Sequence, residues 1–271
     1  MFAYFTRPIR LDDTLQLYLN RVARMTLLES YLGVLQHIQT SPKYKPSEDG
    51  TRQAVPFPGY TIVAPPWADD RQNEAFYQDL QQYQQELLTQ MGEGLAVAVP
   101  PPSFHVTLAD LIWNDAFRDA AAKSADYEAK LRSAIAESFA QCDTLKSPEP
   151  IRWEVLGAIV MTRAIGVCLV PKDEQSYDRV VQLRRAIYQN KNLMGLGVEQ
   201  QYHLTAHVTL GYFGEIPKDL DRHRLAVMLS EFNNRWLECD RELVITRAEL
   251  RQFADMTAYT REPDWPTLDF V

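Results

Sequence analysis

The tetrapeptide His105-Val106-Thr107-Leu108 recurs unchanged as His207-Val208-Thr209-Leu210, and the two copies occupy matching places in matching units. A helical pattern precedes each copy. Phe76, Leu80, Tyr83, Leu87 and Met91 mark the buried stripe of the first helix, and Tyr177, Val180, Leu183 and Ile187 that of the second. The motifs follow at nearly the same distance from helix starts near residues 73 and 174. Residues 104–113 and 204–213 then read as strands. A chain built this way folds as two related halves.

The first unit opens with a strand at residues 60–64, carrying Thr61-Ile62-Val63 and stopped by Pro65-Pro66. Asp69 or Asp70 offers the next helix a cap, and Gly92 suits its stop. An apolar stretch spans 95–99. In the second unit residues 155–161 and 166–170 read as strands paired about a Thr162-Arg163 turn, and Gly195 and Gly197 mark the loop after the helix.

A helix at 127–142 joins the units. Another covers 220–236, strands are expected at 243–246 and 250–253, and a tail at 263–271 carries Trp265 as an anchor. Ahead of the units, Leu15, Tyr18, Leu19, Val22, Met25, Leu28, Tyr31, Leu32 and Leu35 predict one amphipathic helix over 15–39, capped by Asp12 or Asp13. The Pro- and Gly-rich residues 40–58 read as an irregular loop.

The expected fold is α+β: two helix-backed, mainly antiparallel sheets related by a pseudo-twofold and facing each other across a central cleft. Lobe one would span about 57–126 and lobe two about 150–271, with residues 1–56 forming a leading helix and loop.

With 46% hydrophobic residues the chain can bury a substantial core. Its formal charge of −8 disfavours holding long double-stranded nucleic acid by phosphate neutralisation and favours a small nucleotide or an RNA terminus. Cys142, Cys168 and Cys239 lack the close spacing of thiolate metal sites. No window holds 18 uninterrupted apolar residues, and the opening residues 1–8 lack a signal-peptide pattern. A soluble, cytoplasmic chain without a membrane partner is expected; the sequence leaves its oligomeric state open.

On a strand, His105 and Thr107 project to one face while Val106 and Leu108 project to the other, and the second copy does the same. The apolar pair locks each strand to its core. If the lobes face each other, two imidazoles and two hydroxyls converge. Histidine titrates near neutrality, so one imidazole can take a proton while the other gives one. Threonine hydroxyls can donate to phosphoryl oxygens as charge builds on them. No metal or cofactor is chemically required.

A single histidine followed by β-formers is ordinarily a half-buried strand residue. Two histidines among five, each heading an apolar-Thr-apolar trio, should arise by chance on the order of once in a thousand chains.

Paired His-x-Thr motifs about a hundred residues apart resemble the signature of the 2H phosphoesterase superfamily, the LigT-like or RNA-ligase-like phosphodiesterases. The resemblance covers roughly residues 57–253. Phe57-Pro58-Gly59-Tyr60-Thr61-Ile62-Val63, preceded by Asp49-Gly50, also resembles the entry strand of an uncharacterised bacterial branch. The resemblance implies a bilobal LigT-like fold, His105 and His207 as the acid–base pair, and Thr107 and Thr209 as phosphate ligands. It implies metal-independent hydrolysis of 2′,3′-cyclic nucleotides, cyclic phosphates from RNA processing, or 2′-5′ oligonucleotides. Some members chiefly bind nucleotides, so a sensing module using the same cleft is the alternative.

His203-Leu204-Thr205 also fits the pattern, with the strand parity of His207. The match between Val208-Thr209-Leu210 and the first motif favours His207 and leaves His203 at the rim. An i, i+4 metal pair of His203 and His207 on a helix is disfavoured by the β-forming residues around them and by the missing Glu. His37 and His223 lie in predicted helices and read as surface or structural. Tyr60, Trp113, Tyr212 and Phe213 adjoin the motif strands and either stack on a base or pack in the core. Arg152, Arg163 and Lys172 either add positive charge to the cleft or lie on the solvated surface.

Overall fold

The computed structural model describes residues 12–48, 50–236 and 241–271, and Asp49, Cys239 and residues 1–8 lie outside the described residues. In chain order the elements are α1 (Leu15–Met25), α2 (Leu28–Val34), β1 (Tyr44–Pro46), β2 (Arg52–Ala54), β3 (Gly59–Val63), α3 (Glu74–Met91), β4 (Ala96–Ala98), β5 (Thr107–Trp113), α4 (Asn114–Lys123) and α5 (Tyr127–Ala140). Then follow β6 (Ile151–Val160), β7 (Ala164–Pro171), α6 (Glu174–Tyr188), α7 (Lys191–Gly195), β8 (His207–Phe213), α8 (Arg222–Trp236), β9 (Glu242–Ile245), β10 (Arg247–Phe253) and β11 (Thr267–Asp269).

Two antiparallel sheets form the frame, a four-stranded one in the order β11-β10-β3-β5 and a five-stranded one in the order β4-β8-β7-β6-β9. The motif strands β5 and β8 belong to different sheets. The fold is therefore α+β and two-sheeted, as the repeated units imply.

The sheets do not follow contiguous lobes. β4, from the first unit, pairs with β8 of the second sheet, and β10 and β11, from the end of the chain, complete the first sheet beside β3. Helix α3 likewise packs on β4 and β8, and α6 touches β5 as well as β6 and β7. Periodicity fixes a strand's faces but not its neighbours.

The leading segment, expected as a separate unit, is part of the core. Tyr18, Val22, Tyr31 and Leu35 are fully buried. The Tyr18 hydroxyl donates to the carbonyl of Leu169 in β7 at 2.7 Å, and that of Tyr31 to Ala158 in β6 at 2.6 Å. Four such side chains contribute roughly 1.5–3 kcal/mol apiece by burial.

The single helix expected over 15–39 is broken, because Leu27 is extended (φ −85°, ψ 151°) between α1 and α2. Thr14, not Asp12 or Asp13, caps α1 by accepting from the amide of Leu17. Neither Asp69 nor Asp70 caps α3; Asn73 holds that position, its side chain donating to Asp70. The expected irregular loop at 40–58 contains the antiparallel hairpin β1–β2. Helix α4 is an element the sequence reading does not predict: of its ten residues only Phe117 is buried, with the small Ala120 and Ala121 partly buried beside it.

Among the described residues no helix is long and apolar enough to cross a membrane. Cys142 and Cys168 are unpaired and buried, and burial pushes their thiols up to about 11 and about 12.

Candidate active site

Both histidines are aimed by the same device. His105 Nδ1 lies 2.7 Å from the carbonyl oxygen of Ser103, and His207 Nδ1 lies 2.6 Å from that of Thr205. A carbonyl only accepts, so each Nδ1 carries its hydrogen and each Nε2 is the nitrogen left to exchange protons. The carbonyl two residues upstream thus fixes tautomer and ring orientation in both copies. His105, Thr107, His207 and Thr209 all line one cavity of about 760 Å³.

Burial pushes His105 down to about 4, with the neighbouring charges of His207 and Arg251 acting in the same direction. At neutral pH its imidazole is uncharged. Tyr259 packs over that ring with centroids 4.0 Å apart, and its carbonyl is held by Arg251 Nη1 at 2.9 Å.

The alternation expected of the motifs holds through the tetrapeptides and is then reset by β-bulges. In β5, Val63 pairs with Thr107 but Ile62 with Ala109, leaving Leu108 as the extra residue, and a second shift at Leu111 follows. In β8, Gly166 pairs with Thr209 but Ile165 with Gly211, leaving Leu210 over. The leucine of each motif is thus a bulge residue. A bulge re-aims every side chain beyond it. Asp110 and Tyr212, each three residues after a motif threonine, turn into the cavity as a result.

The same shift sorts the aromatic candidates. Trp113 and Tyr212 line the cavity, but Tyr60 and Phe213 do not. Both excluded side chains are fully buried, Tyr60 between Phe117 and Trp265 with its hydroxyl on Glu128. Phe213 has the parity of Thr209 by strict alternation, and the bulge at Leu210 hands the cavity face to Tyr212 instead.

His203 lines the cavity mouth, exposed, with Nδ1 3.8 Å from Asp13. Residues 203–206 are not helical, so His203 and His207 do not form a helical metal pair. Arg163 lies at the cavity wall and donates to Gln39. Arg152 and Lys172 instead share Glu242 in a surface cluster.

Several cavity residues gave no sequence signal. Lys43, from the expected loop, lies over the rings of Phe57 and Tyr212 at 4.7 and 4.8 Å. Burial raises the Asp110 carboxyl, while Arg184, His207 and Lys43 oppose that rise.

Close packing behind the motif makes one glycine critical. A Cβ on Gly166 would stand 2.4 Å from the carbonyl oxygen of Val208 and 3.2 Å from the Cα of Thr209. Both are backbone atoms, so β8 itself would have to move. Gly166→Ala is expected to lower stability by roughly 1–3 kcal/mol, the scale of overpacking, and to reduce phosphate affinity with it. Thermal unfolding and a phosphate titration of the variant would check this.

Residues 47–163 match the family model 2H-phosphodiest, described as a domain of unknown function (DUF1868). The matched region holds the first motif; the second is joined to it by the geometry above. A conserved protein of unknown function, ATU0111 from Agrobacterium tumefaciens str. C58, is similar in structure with a TM-score of 0.56 at 14% identity, over 89% of this chain and 97% of that one. Escherichia coli LigT complexed with 3′-AMP gives 0.41 at 14% identity over 80% and 99%, and a structure described as a phosphoesterase gives 0.39 at 15% over 79% and 99%. No curated protein matches the sequence.

Proposed function

We propose that the chain, whose residues 47–163 match the 2H-phosphodiest family model, is a 2H phosphoesterase that hydrolyses a cyclic or 2′-linked phosphodiester of a small nucleotide or an RNA end, with His105 and His207 as the acid–base pair. The observation that carries this reading is the matched anchoring of the two rings. Each Nδ1 is held by the carbonyl two residues upstream, and both rings and both threonines line one cavity.

On a nucleoside 2′,3′-cyclic phosphate the steps balance as follows. Neutral His105 takes a proton from water as the water oxygen bonds to phosphorus; one ring P–O bond breaks; and protonated His207 gives its proton to the departing ribose oxygen. Thr107 and Thr209 donate to the non-bridging oxygens, where charge accumulates. Proton exchange with solvent restores both rings. His105 is placed as the base because burial keeps it uncharged at neutral pH. The apolar and aromatic wall of Trp113, Tyr212 and Tyr259 suits the face of a base or ribose.

The pH profile tests the assignment. A base must be unprotonated, so kcat/KM should fall as pH drops through about 4, the value to which burial brings His105. An acid limb near the ordinary histidine value of about 6.5 would remove His105 from that role. Turnover of a 2′,3′-cyclic nucleotide or a 2′-5′ dinucleotide, followed by phosphorus NMR, separates hydrolysis from binding alone.

A further inference from the structure

Lys43 is the cavity lysine, and its backbone is tied down on both sides. Its amide donates to Ser41 Oγ at 3.2 Å, its carbonyl accepts from the amide of Val55 at 3.0 Å, and the amide of Ser41 donates to the carbonyl of Phe213 at 2.8 Å. The segment before the motif-bearing sheets is thereby strapped across the end of β8.

The side chain passes between the rings of Phe57 and Tyr212, and its ammonium donates to the Tyr212 hydroxyl at 3.3 Å. No ion pair to Lys43 exists among the described residues. The Tyr212 hydroxyl donates in turn to Met256 Sδ at 3.2 Å. Lys43, Tyr212 and Thr209 line the same cavity, so the ammonium is held on the aromatic wall beside the second motif.

We infer that Lys43 is an anion-binding residue of the phosphate subsite, held by Tyr212 so that its positive charge meets a phosphoryl oxygen beside Thr209. The rings of Phe57 and Tyr212 hold the side chain, so the charge is in place before an anion enters. The ammonium also offsets the negative charge brought in. Asp110 is the carboxylate that favours the charged form of Lys43 against burial, and Tyr212 is the phenol its ammonium meets. The ligand class is a phosphate ester anion.

The inference rests on the phosphodiester reading, yet the two can fail separately. Inorganic phosphate is titrated calorimetrically into the full chain and its variants. Lys43→Met keeps the apolar stem between the rings and removes the charge. It should weaken phosphate binding by about tenfold, whereas Lys43→Arg should stay within about threefold. Tyr212→Phe should also weaken it, and the double variant Lys43→Met/Tyr212→Phe should bind no more weakly than Lys43→Met alone, as expected of one chain of contacts.

Binding by Lys43→Met within about twofold of the parent, or Lys43→Arg as weak as Lys43→Met, would overturn the inference, and so would a parent chain that takes up no phosphate. If Lys43→Met does not fold, as judged by circular dichroism, Tyr212→Phe, which removes the hydroxyl that holds the ammonium, still decides: unchanged binding there overturns the inference. Loss of phosphate binding in Lys43→Met alongside unimpaired turnover in His207→Ala would refute the phosphodiester mechanism and leave the subsite standing.

Discussion

Replacing His207 by alanine should lower turnover of a nucleoside 2′,3′-cyclic phosphate by roughly 10²–10⁴-fold, the usual scale of a lost acid or base. His105→Ala should do the same. Each ring is hydrogen-bonded at Nδ1 by a carbonyl, so its removal strips a proton carrier from the cavity while leaving Val106 and Val208 to lock the strands. Losses of this size with normal unfolding curves would separate chemistry from folding. The mechanism assigns both proton transfers and the charge stabilisation to side chains, so EDTA should leave turnover unchanged. Full activity in the double alanine variant would end the acid–base assignment.

Arg184→Met should unfold the chain more readily by roughly 3–5 kcal/mol, the cost of breaking a buried ion pair from one side. Arg184 and Asp12 are 4% and 3% exposed and meet at 2.9 Å. The guanidinium also donates to the carbonyl of Leu108 in the first motif at 2.8 Å and to that of Tyr202, ahead of the second, at 3.0 Å. Asp12 in turn accepts from the amide of Leu204 at 2.8 Å. One buried arginine thus ties both motif segments together, and its loss strands an unpaired carboxylate. The unfolding midpoint should fall by on the order of 10 °C, and phosphate binding should weaken with it. A midpoint within a degree or two of the parent would show that the pair is not structural.

Much of the fold is written in short-range pattern. The stripes of α3, α6 and α8, the strands around the Thr162-Arg163 turn and the outward His-Thr pairs follow from side-chain period alone. The errors have one cause each. Tyr60 and Phe213 were candidates because they adjoin motif strands, but pleat and bulge turn them into the core. Asp110 gave no signal because strict alternation from Thr107 points it away from the cavity; the bulge at Leu108 brings it in. Lys43 sits in a stretch that reads as loop, and its partners, Phe57 and Tyr212, lie far off in sequence.

Each His-Val-Thr-Leu copy determined by itself that its histidine and threonine turn away from the core while its valine and leucine anchor the strand, because the β-period is local. Tertiary structure decided the rest: that β5 and β8 belong to different sheets, that β4 and β10 exchange between units, that the leading segment brings Lys43 to the cavity, and that the motif leucines bulge. Strand partners and bulges depend on which distant surfaces pack together, and neighbours along the chain carry no record of that.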